Sequence, residues 1–313
     1  MKSKFYLILL ISLLIPVYSL NAQEKKEESK GAPIIVIFGN FHSNFSKENP
    51  QMGFELNRAY LGYQHNFSKS LAIKAVMDIG ESKDISDYQR IAYIKNAQIT
   101  WKHNDFTLNG GLISTIQYNE LEKFLGYRYI MRSFQDEYKF GHSADLGVSA
   151  SYKFGEILLI DAIVSNGEGY KKLQSNNKLQ YGVGASITPL KGLLFRAYTG
   201  LHEDNVNFSF FTGYKTSFFT LAGEYNIIKN QKHGVSIYGS MKLNQNLDLY
   251  ARYNLLETIN NSTNLNESGI VSGVQYLISD KIKISPNIRI GISDADNLSY
   301  EDLSAYISCY FVL

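Results

Sequence analysis

The sequence predicts an all-β chain that closes into a transmembrane antiparallel β-barrel of about 16 strands, with 14 or 18 as the neighbouring even counts. Three observations lead there. From residue 33 onward, apolar and polar residues alternate in segments about ten residues long, separated by polar turns. Aromatic residues are abundant, 23 Tyr and 18 Phe, whereas charged residues make up only 19 % of the chain, against about 25 % in ordinary soluble domains. No internal stretch approaches the ~18 apolar residues of a membrane-spanning helix, and the mean hydropathy of −0.18 suits a chain in which only alternate residues meet lipid.

The amino terminus reads as an export signal over residues 1–22: Lys2 and Lys4, an apolar centre, and Ala22 ahead of a cut before Gln23. Residues 23–32 form a charged leader, and residues 33–313 a single barrel domain. Export and a barrel together predict a bacterial outer-membrane location with lipid as the surrounding partner. Cys309 is the lone cysteine, which rules out an intramolecular disulfide. A net charge of +2 without a basic patch gives no support to nucleic-acid binding.

The strands follow in order. The first spans 34–45; the second, 54–67, turns into 71–80, where Leu71, Ile73, Ala75, Met77 and Ile79 share one face. Segments 90–102 and 106–115 make the next hairpin, followed after a long interruption by 144–154 and 157–164. Then come 179–188 with 193–201, 206–214 with 218–228, 234–243 with 246–256, and 269–278 with 281–291. The last strand, 303–313, sets Leu303, Ala305, Ile307, Cys309 and Phe311 against Ser304, Tyr306, Ser308 and Tyr310. Every second connection is a short turn, and the alternate ones, including 81–89, 116–143, 165–178, 256–268 and 292–300, are mostly longer and polar. That asymmetry is the mark of a barrel with short periplasmic turns and long outer loops. Tyr63, Tyr152 and Tyr253 are expected near strand ends, in an aromatic girdle.

The long interruption, residues 116–141, carries helix signals instead of alternation. Asn119 with Glu122 and Gly126 marks one short helix, and Ser133 with Asp136 and Gly141 a second. A long charged loop among hairpins calls for a function. It is expected to fold into the lumen as a constriction bearing Glu120, Glu122, Lys123, Arg128, Arg132, Asp136 and Glu137. The phase of each strand assigns Arg58, Lys74, Asp78, Asp145, Asp161, Arg196, Glu224, Lys242, Asp248, Arg252, Lys283 and Arg289 to the lumen face. Lumen positions are wet, so these charges are equally accounted for by hydration and mutual pairing. Arg128 and Arg132 either share a helix face or pin the loop through Asp136 or Asp145.

No catalytic constellation is legible. His142 and Ser143, like His42 and Ser43, are strand neighbours and so point to opposite faces. The other histidines lack metal-ligand spacing, and neither a metal nor a cofactor is expected.

Residues 54–80, FELNRAYLGYQHNFSKSLAIKAVMDIG, resemble the second and third strands of the phosphate-selective porin family as it occurs in Bacteroidetes-type bacteria, through Arg58, Ala59, Tyr60, Leu61 and Asp78. Residues 126–148 resemble that family's long third loop entering strand six. The terminal AYISCYFVL resembles the aromatic-ended last strand read by the barrel-assembly machinery, although Val312 and Leu313 follow Phe311. The resemblance implies sixteen strands, a homotrimer and a third loop that narrows the lumen. It also implies passage of small hydrophilic solutes. Phosphate selectivity in that family depends on a dense set of lumen lysines and arginines. The mixed charges here predict no more than a mild anion preference. The alternatives are a plugged structural or adhesion barrel, and behind it an outer-membrane hydrolase.

Overall fold

The computed structural model describes residues 30–45, 50–82, 86–259, 264–295 and 298–313. The export signal and residues 23–29 of the leader lie outside the described residues; residues 30–32 of the leader already belong to the first strand.

Sixteen strands pair antiparallel, each with its sequence neighbours, and the ring closes. They are β1 (Lys30–Asn44), β2 (Met52–Asn66), β3 (Leu71–Ser82), β4 (Ser86–His103) and β5 (Phe106–Ser114), then β6 (Ala144–Phe154), β7 (Leu158–Ser165), β8 (Gln180–Leu190) and β9 (Leu193–His202). The second half holds β10 (Asn205–Lys215), β11 (Phe219–Ile228), β12 (Lys232–Lys242), β13 (Leu247–Ile259), β14 (Asn264–Ser279), β15 (Ile282–Ala295) and β16 (Leu298–Val312). At the seam, Val36 lies opposite Val312, Phe38 opposite Tyr310 and Asn40 opposite Ser308. The Leu313 amide donates to the Ile35 carbonyl at 3.1 Å, so pairing runs to the last residue.

Alternation fixes two faces. In β9, Phe195 and Leu201 are exposed while Leu194, Arg196 and Tyr198 are buried; β13 repeats this with Leu249, Tyr253 and Leu255 outside and Tyr250, Arg252 and Asn254 inside. One exposed leucine is ordinary, but a belt of them on strand after strand is a lipid face. No helix among the described residues is long and apolar enough to cross a membrane; the strands do the crossing.

The two ends of the barrel differ. At one end every connection has two to four residues, with Asn104, Gly155 and Gly192 supplying left-handed backbone at φ 50°, 61° and 87°. Tyr63 and Tyr152 stand at this end beside Phe67, Trp101 and Phe154; Tyr253 faces outward midway along β13 and does not join them. At the other end the long connections are 115–143 and 166–179. The polar segments expected as loops at 81–89, 256–268 and 292–300 are, in their described residues, strand instead: Leu256 pairs with Glu267 and Ile292 with Glu301. Beyond the lipid belt neither face has to be apolar. Alternation therefore fades while the ladder still satisfies the backbone.

Two bulges add an inward residue that strict alternation does not anticipate. Between the Val76–Asn96 and Met77–Ile94 pairs the extra residue is Lys95, and between the Phe38–Arg58 and Gly39–Leu56 pairs it is Asn57. Next to the first bulge lies Gly111, at φ +103°, where an added Cβ would sit 2.2 Å from the Ala97 carbonyl oxygen; at Gly110 an added Cβ would meet nothing within 4 Å. Gly111→Ala is therefore expected to destabilise the barrel by about 1–3 kcal/mol, with Gly110→Ala near neutral. Urea unfolding in liposomes, followed by the fluorescence of Trp101, measures both. Equal midpoints for the two variants would contradict the assigned backbone.

Candidate functional site

The connection from β5 to β6 crosses the interior. Its ends are clasped together: the Thr115 amide donates to the Ser143 carbonyl at 3.1 Å and the Thr115 hydroxyl to the His142 carbonyl at 2.9 Å. Helix α1 (Ile116–Leu125) follows, with Thr115 and not Asn119 at its N-cap position. Leu121 and Leu125 bury against Leu194, Phe211 and Ala222 of β9, β10 and β11, and Phe124 meets Phe211 edge-on at 5.4 Å. Gly126, at φ 80°, ends α1, and its amide donates to the Glu122 carbonyl at 2.9 Å; a left-handed residue lets the chain leave the helix axis.

Residues 127–131 then reach the opposite wall. Tyr129 packs on Phe38 and Tyr310, and its hydroxyl donates to Gln275 Oε1 at 3.0 Å. Tyr127 leans on Tyr250 with ring centroids 4.9 Å apart. The short helix α2 (Phe134–Glu137) starts after Ser133 and ends at Tyr138 rather than at Gly141. Phe134 is fully buried with Phe140 and Leu256, and its amide donates to Glu224 Oε1 at 2.7 Å.

The loop also closes on itself. Arg128 pairs with Asp136 at 2.7 Å and with Glu122 at 3.4 Å, and Glu122 Oε1 accepts the Ser133 amide at 2.7 Å. Burial pushes Glu122 above the ordinary carboxylate range, with Arg128 and the Ser133 amide pulling against it. Arg132 pairs with Glu137 at 2.9 Å. Arg128 and Arg132 share no helix, because the nonhelical crossing segment separates α1 from α2, and neither bonds Asp145. Glu120 and Lys123 make no ion pair among the described residues.

The twelve wall charges occupy the interior, but several are committed to the loops. Arg196 forms a two-pronged pair with Asp161, at 2.8 and 3.0 Å, and holds Gln117 of α1 at 2.8 Å. Arg252 donates to the Arg132 carbonyl and Arg289 to the Ile130 carbonyl, the latter at 2.8 Å. Asp78 takes Arg58 at 2.6 Å and the Tyr170 hydroxyl at 2.5 Å, while Asp145 accepts the Gly167 amide at 2.5 Å. Those two aspartates tether the β7–β8 connection. Asp248 accepts from Gln275 at 2.8 Å. Lys74, Lys242 and Lys283 make no ion pair among the described residues, although Lys283 lies over the Tyr310 ring at 5.3 Å.

Sequence reasoning missed Lys95, Glu55, Lys215, Lys232 and Gln117. Lys95 is displaced by a bulge; Lys215 falls in the turn expected after 206–214, yet its Nζ donates to the Phe124 carbonyl at 2.9 Å. Lys232 donates to the Tyr138 carbonyl at 2.6 Å. A loop carbonyl carries no side-chain signal, so no sequence pattern announces these moorings.

Several spaces result, three of them adjacent. One cavity of about 330 Å³, on the long-loop side, includes Asn40, Glu55, Arg58, Arg128, Arg289 and Tyr306 in its lining. A second of about 330 Å³, at the short-turn end, includes Lys215, Lys242, Asp248 and Lys283. Between them lies a slot of about 40 Å³, sharing Ile130 and Met131 with the first and Leu125 and Tyr127 with the second.

No protein-family model and no curated protein sequence matches the chain. Solved structures do. Outer-membrane expressed OmpT of Vibrio cholerae superposes with a TM-score of 0.68 at 13 % identity, over 93 % of this chain and 99 % of that one. OprB of Pseudomonas putida gives 0.72 at 7 % identity, over 90 % and 94 %, and an anion-selective porin from Comamonas acidovorans 0.69 at 10 %, over 91 % and 100 %. At such identities the likeness is one of fold: a closed sixteen-stranded antiparallel barrel.

The buried Arg196–Asp161 pair is the clearest mooring to break. Arg196→Met leaves Asp161 without its counter-charge and is expected to cost about 3–5 kcal/mol, with most of that recovered in Arg196→Met/Asp161→Leu. Urea midpoints, with limited trypsin digestion reporting release of the loop, check this; a single variant as stable as the parent would contradict it.

Proposed function

We propose that the chain is a bacterial outer-membrane porin for passive diffusion of small hydrophilic solutes, with residues 116–141 as its constriction. The observation that carries the reading is a pair of cavities, one towards each end of the barrel and both lined by charged residues, that share lining residues with one narrow slot beside the loop. A slot of about 40 Å³ has room for a few waters in file, since about 10–15 Å³ of such volume admits one. The barrel-level likeness to porins and outer-membrane proteins supports the same location and class. The short-turn end is then the periplasmic one. The long-loop side opens outward.

The charge balance supports a mild anion preference and no phosphate filter. Arg58, Arg128, Arg132 and Arg196 each face a carboxylate within 2.6–3.4 Å, so they are not a free basic ladder. Lys215, Lys242 and Lys283 around the lower cavity, against Asp248, leave a local positive lean. A homotrimer, which the resemblance implies, has a counterpart in a trimer form of in-vitro folded OmpT from Vibrio cholerae.

The density of loop-to-wall hydrogen bonds favours a second reading, a barrel plugged by its third loop.

Planar-bilayer recording separates the readings. The parent is expected to give ohmic steps that grow when residues 119–139 are deleted, and its reversal potential in a salt gradient is expected to show weak anion preference. A silent parent that opens only on deletion would establish the plug. Clear cation selectivity would reject the charge assignment.

A further inference from the structure

We infer that the cavity on the long-loop side is a binding site for a small zwitterion, an α-amino acid with an aromatic or aliphatic side chain. The inference deepens the porin reading by naming a solute class, and it rests on that reading only for the route of entry.

The cavity's charges decide the class. Arg58, Arg128 and Arg132 each have a carboxylate partner at 2.6–2.9 Å. Arg289 does not: its donors go to Asn287 Oδ1 at 3.1 Å and the Ile130 carbonyl at 2.8 Å, and its guanidinium lies over the Tyr306 ring at 3.8 Å. On the same cavity, Glu55 is the complementary case. Its Oε2 accepts from Asn40 and Asn57, both at 2.7 Å, and it makes no ion pair among the described residues. One cation and one anion, neither of them in an ion pair among the described residues, therefore open onto a single space of about 330 Å³, within the ~300–1,000 Å³ typical of small-molecule pockets.

A ligand that displaces water here must compensate both charges or leave one desolvated. Phosphate answers Arg289 and is repelled by Glu55. A neutral sugar answers neither with a charge. A zwitterion supplies a carboxylate for Arg289 and an ammonium for Glu55. Phe38, Tyr129 and Tyr306 form the apolar side of the cavity, suited to the amino acid's side chain. Asn40 and Asn57 hold Glu55 in place, and the Asn287 contact does the same for Arg289, so the two groups are oriented before a ligand arrives.

The site is tested by calorimetric titration of the detergent-solubilised barrel with L-phenylalanine, N-acetyl-L-phenylalanine, L-phenylalaninamide, D-glucose and inorganic phosphate. L-phenylalanine is expected to bind about tenfold or more tightly than either single-charge analogue, the loss set by one unanswered charged hydrogen bond. Glu55→Gln should abolish the advantage of L-phenylalanine over its N-acetyl analogue, and Arg289→Gln its advantage over the amide. If Arg289→Gln does not fold, Glu55→Gln decides alone. Equal binding of the zwitterion and its analogues, tighter binding of glucose or phosphate, no saturable binding, or an unchanged Glu55→Gln would each overturn the inference. Binding without conductance in bilayers would remove the channel reading and leave the site; conductance without binding would do the reverse.

Discussion

Closure of the backbone ladder is the constraint on which the rest of the molecule depends. In hydrocarbon no water satisfies a free amide or carbonyl, so a sheet can cross only if its first and last strands pair. The β1–β16 register meets that demand from Val36–Val312 to Asn44–Ser304, and the Leu313 amide extends it. Once the ring is closed, strand alternation has only two destinations, lipid and lumen. The exposed Phe, Leu and Ile and the buried Arg, Asp, Glu and Asn are two readings of that one constraint.

The lumen then has its own problem. Polar groups removed from bulk water need partners, and the β5–β6 connection provides many of them as backbone carbonyls. Arg252, Arg289, Lys215 and Lys232 all donate to the loop's main chain, from separate strands around the ring. With Arg196 of β9 holding Gln117, and Phe38 of β1 and Tyr310 of β16 packed on Tyr129, the loop is anchored on facing walls, where a single anchor would only fix it to one. Arginines that pair with a carboxylate, as Arg58, Arg128, Arg132 and Arg196 do, are withdrawn from solutes; a cation that only donates to a carbonyl keeps its charge uncompensated. What remains unpaired is therefore more informative about transport than the total count of inward cations.

Much of the fold is legible in the sequence because lipid enforces period-two patterning over each crossing. Leu71, Ile73, Ala75 and Met77 in β3, or Ile307, Cys309 and Phe311 in β16, can be phased by eye. Where lipid stops, so does the signal, and the strand extensions through Glu257 and Asn266 look like loops in the sequence. Bulges hide residues in the same way: Lys95 and Asn57 face inward because the register slips by one. The loop's existence and the stop at Gly126 are visible, since a left-handed C-cap demands glycine. For the first cap, Asn119 has the stronger intrinsic preference, and tertiary clasping at Thr115 overrides it. The role of each lumen charge is not legible, because it depends on partners far away in the chain, as Glu224 does on Phe134.

The two sides of the constriction have different characters. Below it, lysines outnumber acids; above it, most arginines are neutralised and the surface combines aromatic rings with one spare charge of each sign. Such an arrangement would select first by chemistry and then by size. The most direct measurement of the central claim is swelling of liposomes carrying the unmodified full chain, in isosmotic solutes of graded size. Swelling is expected, at a rate that falls steeply as solute size rises towards the width of the slot. Rates no greater than in protein-free liposomes for every solute, the smallest included, would contradict it.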